Sequence, residues 1–154
     1  SRVTDGFAFT SATVGGTDST DAVVDCYERL DREDVQYVLV AGIAPAWFNV
    51  VDLHAVHDAV ERPVLSVSFE ESAGLESTIR REFGGDARTR RLDTYERQPA
   101  REPVDVNGER VYVRSVGCDD PEAVVRAFTP EGGRPEPLRV ARLAARAADD
   151  YAQR

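Results

Sequence analysis

Val35-Gln36-Tyr37-Val38-Leu39-Val40-Ala41-Gly42-Ile43 is an almost unbroken apolar run, interrupted only by Gln36. It is too short for a typical helix and rich in valine. A run of this kind is typical of a strand covered on both faces. Ala44-Pro45 ends it, and a helix is expected from about Phe48 to Val60. Arg62-Pro63 then introduces a second buried strand, residues 64–69. Upstream, Thr17 or Asp18 can cap a helix running to about Asp31, with Ala22, Val23, Cys26, Tyr27 and Leu30 as its apolar stripe. Residues 3–14 alternate and read as a further strand, closed by Gly15-Gly16. Strand, helix, strand, helix, strand over residues 3–69 predicts an α/β sheet.

The rest of the chain extends that pattern. Residues 72–83 form an amphipathic helix stopped by Gly84-Gly85, and residues 86–98 read as helical too. Residues 104–106 and 111–116 flank Asn107-Gly108, a strong two-residue hairpin signal. Asp119 or Asp120 with Pro121 opens a helix to about Phe128. An Ala/Arg-rich helix occupies residues 135–151. With no repeat and no linker, residues 1–154 are expected to form a single domain.

The charge balance is unusual. Twenty-eight Asp and Glu oppose 19 basic residues, giving a net charge of -9, and every basic residue is arginine. A lysine-free acidic surface suits solubility in concentrated salt, because it exposes few long alkyl stems. A GC-rich genome favours arginine over lysine as well. The acidity would normally argue against a nucleic-acid partner. At molar salt, however, the Debye length falls to about 3 Å, and net charge stops deciding the matter. No apolar run approaches the roughly 18 residues of a membrane span. Cys26 and Cys118 match no metal motif and read as reduced thiols of a cytoplasmic protein.

Several clusters carry chemistry. Gly15-Gly16-Thr17-Asp18-Ser19-Thr20-Asp21 sits where a strand passes into a helix. Asp18 and Asp21 can lie on one face of the first turn and could hold Mg²⁺ with waters, or simply cap the helix. After the central strand, Trp47 and Phe48 could stack on a base or enter the core. Asn49 could bind a base edge or cap the next helix. Asp52 could serve as ligand, general base or cap. His54 and Asp58 are four apart, which is a weak metal signal. From Arg80 to Arg101 seven arginines face four carboxylates, either as a phosphate-binding stretch or as surface ion pairs. Glu136 and Arg139 can pair across the first turn of the last helix.

The order of four blocks adds a resemblance. Gly15 to Asp21, Gly42 to Leu53, Pro63 to Val67 and Pro135 to Ala141 together resemble the archaeal endonuclease-dU family over essentially the whole chain. That resemblance implies a ribonuclease H-like, endonuclease V-like mixed sheet flanked by helices. It implies Mg²⁺-assisted cleavage of deoxyuridine-containing DNA. Asp18, Asp21 and Asp52 would be the catalytic acids, with Asp18 and Asp21 as metal ligands. Trp47, Phe48, Asn49 and Arg139 would contact substrate.

Two departures shape the expectation. The resembling family begins with an Asp-bearing strand, so the chain is expected to lack an N-terminal hairpin of about 30 residues. The gap would suit another chain, hence a homodimer. Ala41 stands where endonuclease V-like enzymes carry Asp before Gly42, and alanine binds no metal. The rival expectation is therefore a non-catalytic nucleic-acid-binding or regulatory module.

Overall fold

The computed structural model describes residues 3–71 and 74–154. Its elements run α1 (Ser19–Leu30), β1 (Val38–Ala41), a one-turn element α2 (Pro45–Phe48), α3 (Leu53–Val60), β2 (Val64–Ser68), α4 (Glu76–Glu82), α5 (Gly85–Glu96), β3 (Glu102–Val106), β4 (Glu109–Val116), α6 (Pro121–Phe128) and α7 (Glu136–Ala152). The four strands form one mixed sheet in the order β1-β2-β4-β3. β1 and β2 are parallel, with Val38 opposite Val64, while β4 runs antiparallel to both β2 and β3.

Alternation along the strands divides the core. Leu65 and Val67 face one side, where they pack with Val104, Val106, Val111 and Val113 against Val125 of α6 and Leu138 of α7. Val64 faces the other side, with Ile43, Val51, Leu53, Val56 and Val60, and is backed by Val23, Val24 and Tyr27 of α1. β1 follows the same rule: Leu39 joins the first cluster, and Val38 and Val40 the second. This two-sided covering is what the apolar runs predict for parallel strands. The β3–β4 hairpin turns at Asn107 (φ 52°) and Gly108 (φ 80°), the paired left-handed residues of a type I′ turn. Asp120 caps α6 by accepting from the Ala123 amide at 3.1 Å, with Pro121 opening the helix. Among the described residues, no helix is long and apolar enough to cross a membrane.

Three expectations are corrected. Residues 3–14 form no strand. They bond instead with α1: the Ala8 carbonyl accepts from the Cys26 thiol, the Phe9 carbonyl accepts from Arg29, and the Thr10 hydroxyl donates to the Ala22 carbonyl. With those groups satisfied by α1, the segment lies over that helix and β1 remains the outer strand of the sheet. The helix expected from Phe48 begins only at Leu53, because Ala46, Trp47 and Phe48 all have positive φ. The helix expected over 72–83 is α4, Glu76–Glu82, and Ser72 and Ala73 lie outside the described residues.

Candidate functional site

The segment after β1 owes its shape to tertiary contacts. Gly42 leaves the strand at φ 73°, and its amide donates to the Val67 carbonyl at 2.9 Å. The Ile43 carbonyl accepts from the Val51 amide at 2.7 Å, closing the loop at its base. Between these anchors Ala46, Trp47 and Phe48 take φ values of 53°, 54° and 58°. Each left-handed non-glycine residue costs roughly 1–2 kcal/mol. Neighbours hold the turn in place. The Gly15 amide donates to the Ala46 carbonyl at 2.7 Å. A Cβ at Gly15 would stand 3.1 Å from the Trp47 ring, so the two segments are in close contact.

Trp47, Phe48 and Phe83 form an aromatic trio, with centroid separations of 5.4, 5.3 and 6.0 Å. The Arg91 guanidinium lies 4.0 Å above the Phe83 ring. It donates to the Gly15, Gly16 and Ala87 carbonyls and is buried, with burial holding its pKa below the usual arginine range. Its Nε has no hydrogen-bond partner among the described residues. Trp47, by contrast, is 51% exposed, so part of its indole stays open to solvent.

Asn49 ties this turn to the start of α1. It is fully buried. Its Oδ1 accepts from the Ser19 amide at 2.9 Å. Its Nδ2 donates to the Thr13 carbonyl at 2.9 Å and to Asp18 Oδ1 at 2.8 Å. Asp18 also accepts from the Thr13 amide and hydroxyl. Together the Thr13 amide, Asn49 and the Thr13 hydroxyl hold its pKa down to about 2. Both amide hydrogens of Asn49 are thus engaged within the protein. Asp18 retains spare acceptor capacity on Oδ2.

Asp52 caps α3, accepting from the His54 and Ala55 amides at 3.1 and 3.3 Å. Gln98 and Arg97 donate to it at 3.2 and 3.3 Å. Burial pushes its pKa up, but the Gln98, Ala55 and Arg97 contacts outweigh that and leave it lowered. Its backbone amide donates to the Thr20 hydroxyl at 2.9 Å, so α3 and α1 start side by side.

Asp18 and Asp21 line one cleft of about 390 Å³, together with Asp25 and Arg29. Asp52 does not line it, and neither does Arg139, which forms a 2.6 Å ion pair with Glu136. Among the described residues, no three His, Cys, Asp or Glu side chains are grouped to hold a metal ion. His54 Nε2 donates to the Arg97 carbonyl and His57 Nδ1 to the Arg62 carbonyl, so each ring directs a nitrogen at the protein itself. Two carboxylates beside open solvent suit Mg²⁺, which keeps most of its waters. They do not form a closed cage.

Residues 1–149 match the family model described as Endonuclease dU. The chain belongs to the Endonuclease dU family. A UPF0215 protein of Pyrobaculum aerophilum is 34% identical over 147 residues, covering 94% of this chain and 78% of that one. A UPF0215 protein of Archaeoglobus fulgidus is 31% identical over 151 residues, covering 93% and 78%. The crystal structure of a protein of unknown function from the same organism superposes with a TM-score of 0.79 at 26% identity, covering 94% of this chain and 82% of that one. The chain thus shares its sequence family with archaeal relatives and its α/β fold with that Archaeoglobus fulgidus structure.

Sequence reasoning missed Phe83 and Gln98, and placed Arg91 only within the Arg80–Arg101 stretch, not in the site. Phe83 and Arg91 come from α4–α5, far along the chain, and meet Trp47 only in the fold. In sequence, Arg91 is indistinguishable from its exposed neighbour Arg90.

Proposed function

We propose that this Endonuclease dU member is a metal-dependent endonuclease acting on deoxyuridine-containing DNA, on a ribonuclease H-like sheet. The parallel β1–β2 pair joined to an antiparallel β4–β3 pair supports that sheet assignment. The family description supports the reaction class. The observation that carries the reading is the Asn49 link. One buried side chain fixes both the turn presenting Trp47 and the carboxylate of Asp18. An aromatic face for an extruded base and an acid for a phosphodiester site are thereby held on one rigid support.

Asp18 and Asp21 would hold Mg²⁺ with water filling the remaining positions. When bound, the ion would supply Lewis-acid activation of water and of a phosphoryl oxygen. Trp47 would stack on the base, with Phe48 and Phe83 bracing it from behind. Asn49 and Asp52 position the site: Asn49 orients Asp18, and Asp52 fixes the start of α3. Arg139 would meet substrate only after leaving Glu136.

The test is cleavage of a deoxyuridine-containing duplex with Mg²⁺, at low and at molar salt. Cleavage that Asp21→Ala and Trp47→Ala each reduce at least tenfold supports the reading. No cleavage under any of these conditions sinks it.

Ala41 favours a second reading. It stands at the carboxyl end of β1, where sites gather in α/β sheets, and its methyl group binds no metal. A non-catalytic DNA-binding module would bind the same duplex equally well in EDTA and leave it intact.

A further inference from the structure

We propose that the cleft at the carboxyl ends of β1 and β2 binds the phosphodiester backbone of a nucleic-acid strand. The cleft measures about 400 Å³, within the range of small-ligand sites. Four guanidinium groups line it, from Arg101, Arg114, Arg134 and Arg142. Glu70 is the one carboxylate on its wall among the described residues. That balance runs against a chain in which acids outnumber bases by 28 to 19.

These arginines are also held unlike those that pair with carboxylates. Eight arginines elsewhere are ion-paired to carboxylates: Arg32, Arg80, Arg81, Arg97, Arg110, Arg126, Arg139 and Arg154. Arg114, Arg134 and Arg142 form no such pair among the described residues. Aromatic rings contact three of the four cleft arginines. Arg134 lies 4.1 Å over Phe69, Arg101 4.4 Å over Tyr112, and Arg114 5.5 Å from the Tyr95 centroid. Arg114 also donates to the Pro99 carbonyl at 2.7 Å, and Arg101 to the Glu70 carbonyl at 3.2 Å. Stacking fixes a guanidinium plane while leaving N–H groups at its edge for an anion, and that fork matches two phosphate oxygens. Ala41 borders the same cleft and adds no charge to oppose an anion.

Four arginines lining one cleft exceed what one inorganic phosphate engages, which favours successive phosphates along a strand. The cleft shares its substrate class with the proposed endonuclease but none of the Asp18 or Asp21 chemistry. Binding in EDTA therefore tests it apart from cleavage.

The experiment is fluorescence anisotropy with a short labelled single-stranded oligodeoxynucleotide in EDTA. Titrations run from the lowest salt at which circular dichroism shows a folded protein up to molar salt. Arg134→Gln and Arg142→Gln are each expected to weaken binding about tenfold and to lower the salt slope by about 0.7 per lost phosphate contact. Arg154→Gln, in an exposed ion pair at the far end of α7, should change neither. Displacement by unlabelled strand but not by equimolar dUMP or inorganic phosphate supports the strand assignment. Equal displacement by dUMP or by phosphate overturns it in favour of a mononucleotide or free-anion site. Cleft variants that bind like the unsubstituted protein overturn the site itself.

Discussion

Asn49 Nδ2 donates to Asp18 Oδ1 at 2.8 Å across 31 residues of sequence, and this contact joins the loop after β1 to the start of α1. The same amide group reaches the Thr13 carbonyl, and the Asn49 oxygen accepts from the Ser19 amide. Removing the side chain strips the buried Ser19 amide of its partner and takes one hydrogen bond each from Asp18 and the Thr13 carbonyl. Asn49→Ala is expected to destabilise the protein by about 3 kcal/mol, at about 1 kcal/mol per hydrogen bond. For a chain of this size that lowers Tm by roughly 6–12 °C. Calorimetry at one fixed salt concentration checks it, and a Tm change within about 2 °C would refute the staple.

Asp18 gives a pH signature. Its folded pKa is about 2, against an ordinary value of 3.8. A carboxyl whose pKa is depressed on folding stabilises the fold above the unfolded pKa. That contribution is lost as the pH falls through the folded value. The stability difference between unsubstituted protein and Asp18→Asn should therefore be constant above about pH 4 and shrink toward pH 2. Urea unfolding across that range measures it. A difference independent of pH would mean that the carboxylate charge does not matter.

Asp52 separates capping from chemistry. Asp52→Ala removes the α3 cap and should cost about 1 kcal/mol, whereas Asp52→Asn should recover most of that. If the role is positional, Asp52→Asn also retains DNA cleavage or binding near the original level. An Asp52→Asn protein that is stable but inactive would place its charge in the reaction itself.

Ala46 reports on the left-handed turn. With φ 53° and ψ 51° it adopts a conformation that glycine takes without a Cβ penalty. Ala46→Gly is expected to stabilise the fold by about 0.5–1 kcal/mol, against the usual direction for an alanine-to-glycine change. Denaturant midpoints decide the sign.

Trp47 is the sole tryptophan and stands half-exposed, so its fluorescence reports on its own surroundings. Base stacking on the indole should quench its emission when a deoxyuridine-containing strand is added. Iodide quenching should fall in parallel, as the ring becomes shielded. Emission and iodide access that stay unchanged at saturating strand would remove Trp47 from the interface.

Periodicity and turn chemistry made much of the fold legible from sequence. The apolar runs around Val38–Ala41 and Val64–Ser68, the Asn107-Gly108 hairpin and the Asp120-Pro121 cap all appear where local pattern places them. These features depend on residues adjacent in sequence, whose preferences survive into the fold. Residues 3–14 misled because alternation specifies an extended chain but not its partner, and here the Ala8 and Phe9 carbonyls and the Thr10 hydroxyl bond to α1. The site was legible as a set of motifs and not as an arrangement. Gly15 to Asp21 and Ala46 to Asp52 could be picked out, but whether Asn49 faced solvent or Asp18 could not. Only the tertiary structure decided that Asn49 is a buried staple, that residues 46–48 are left-handed, and that Arg91 stacks on Phe83 of the aromatic trio. It alone gathered Arg101, Arg114, Arg134 and Arg142 into one cleft. Sequence determines what each short segment prefers, whereas burial, strain and charge clustering arise from contacts between segments that sequence keeps far apart.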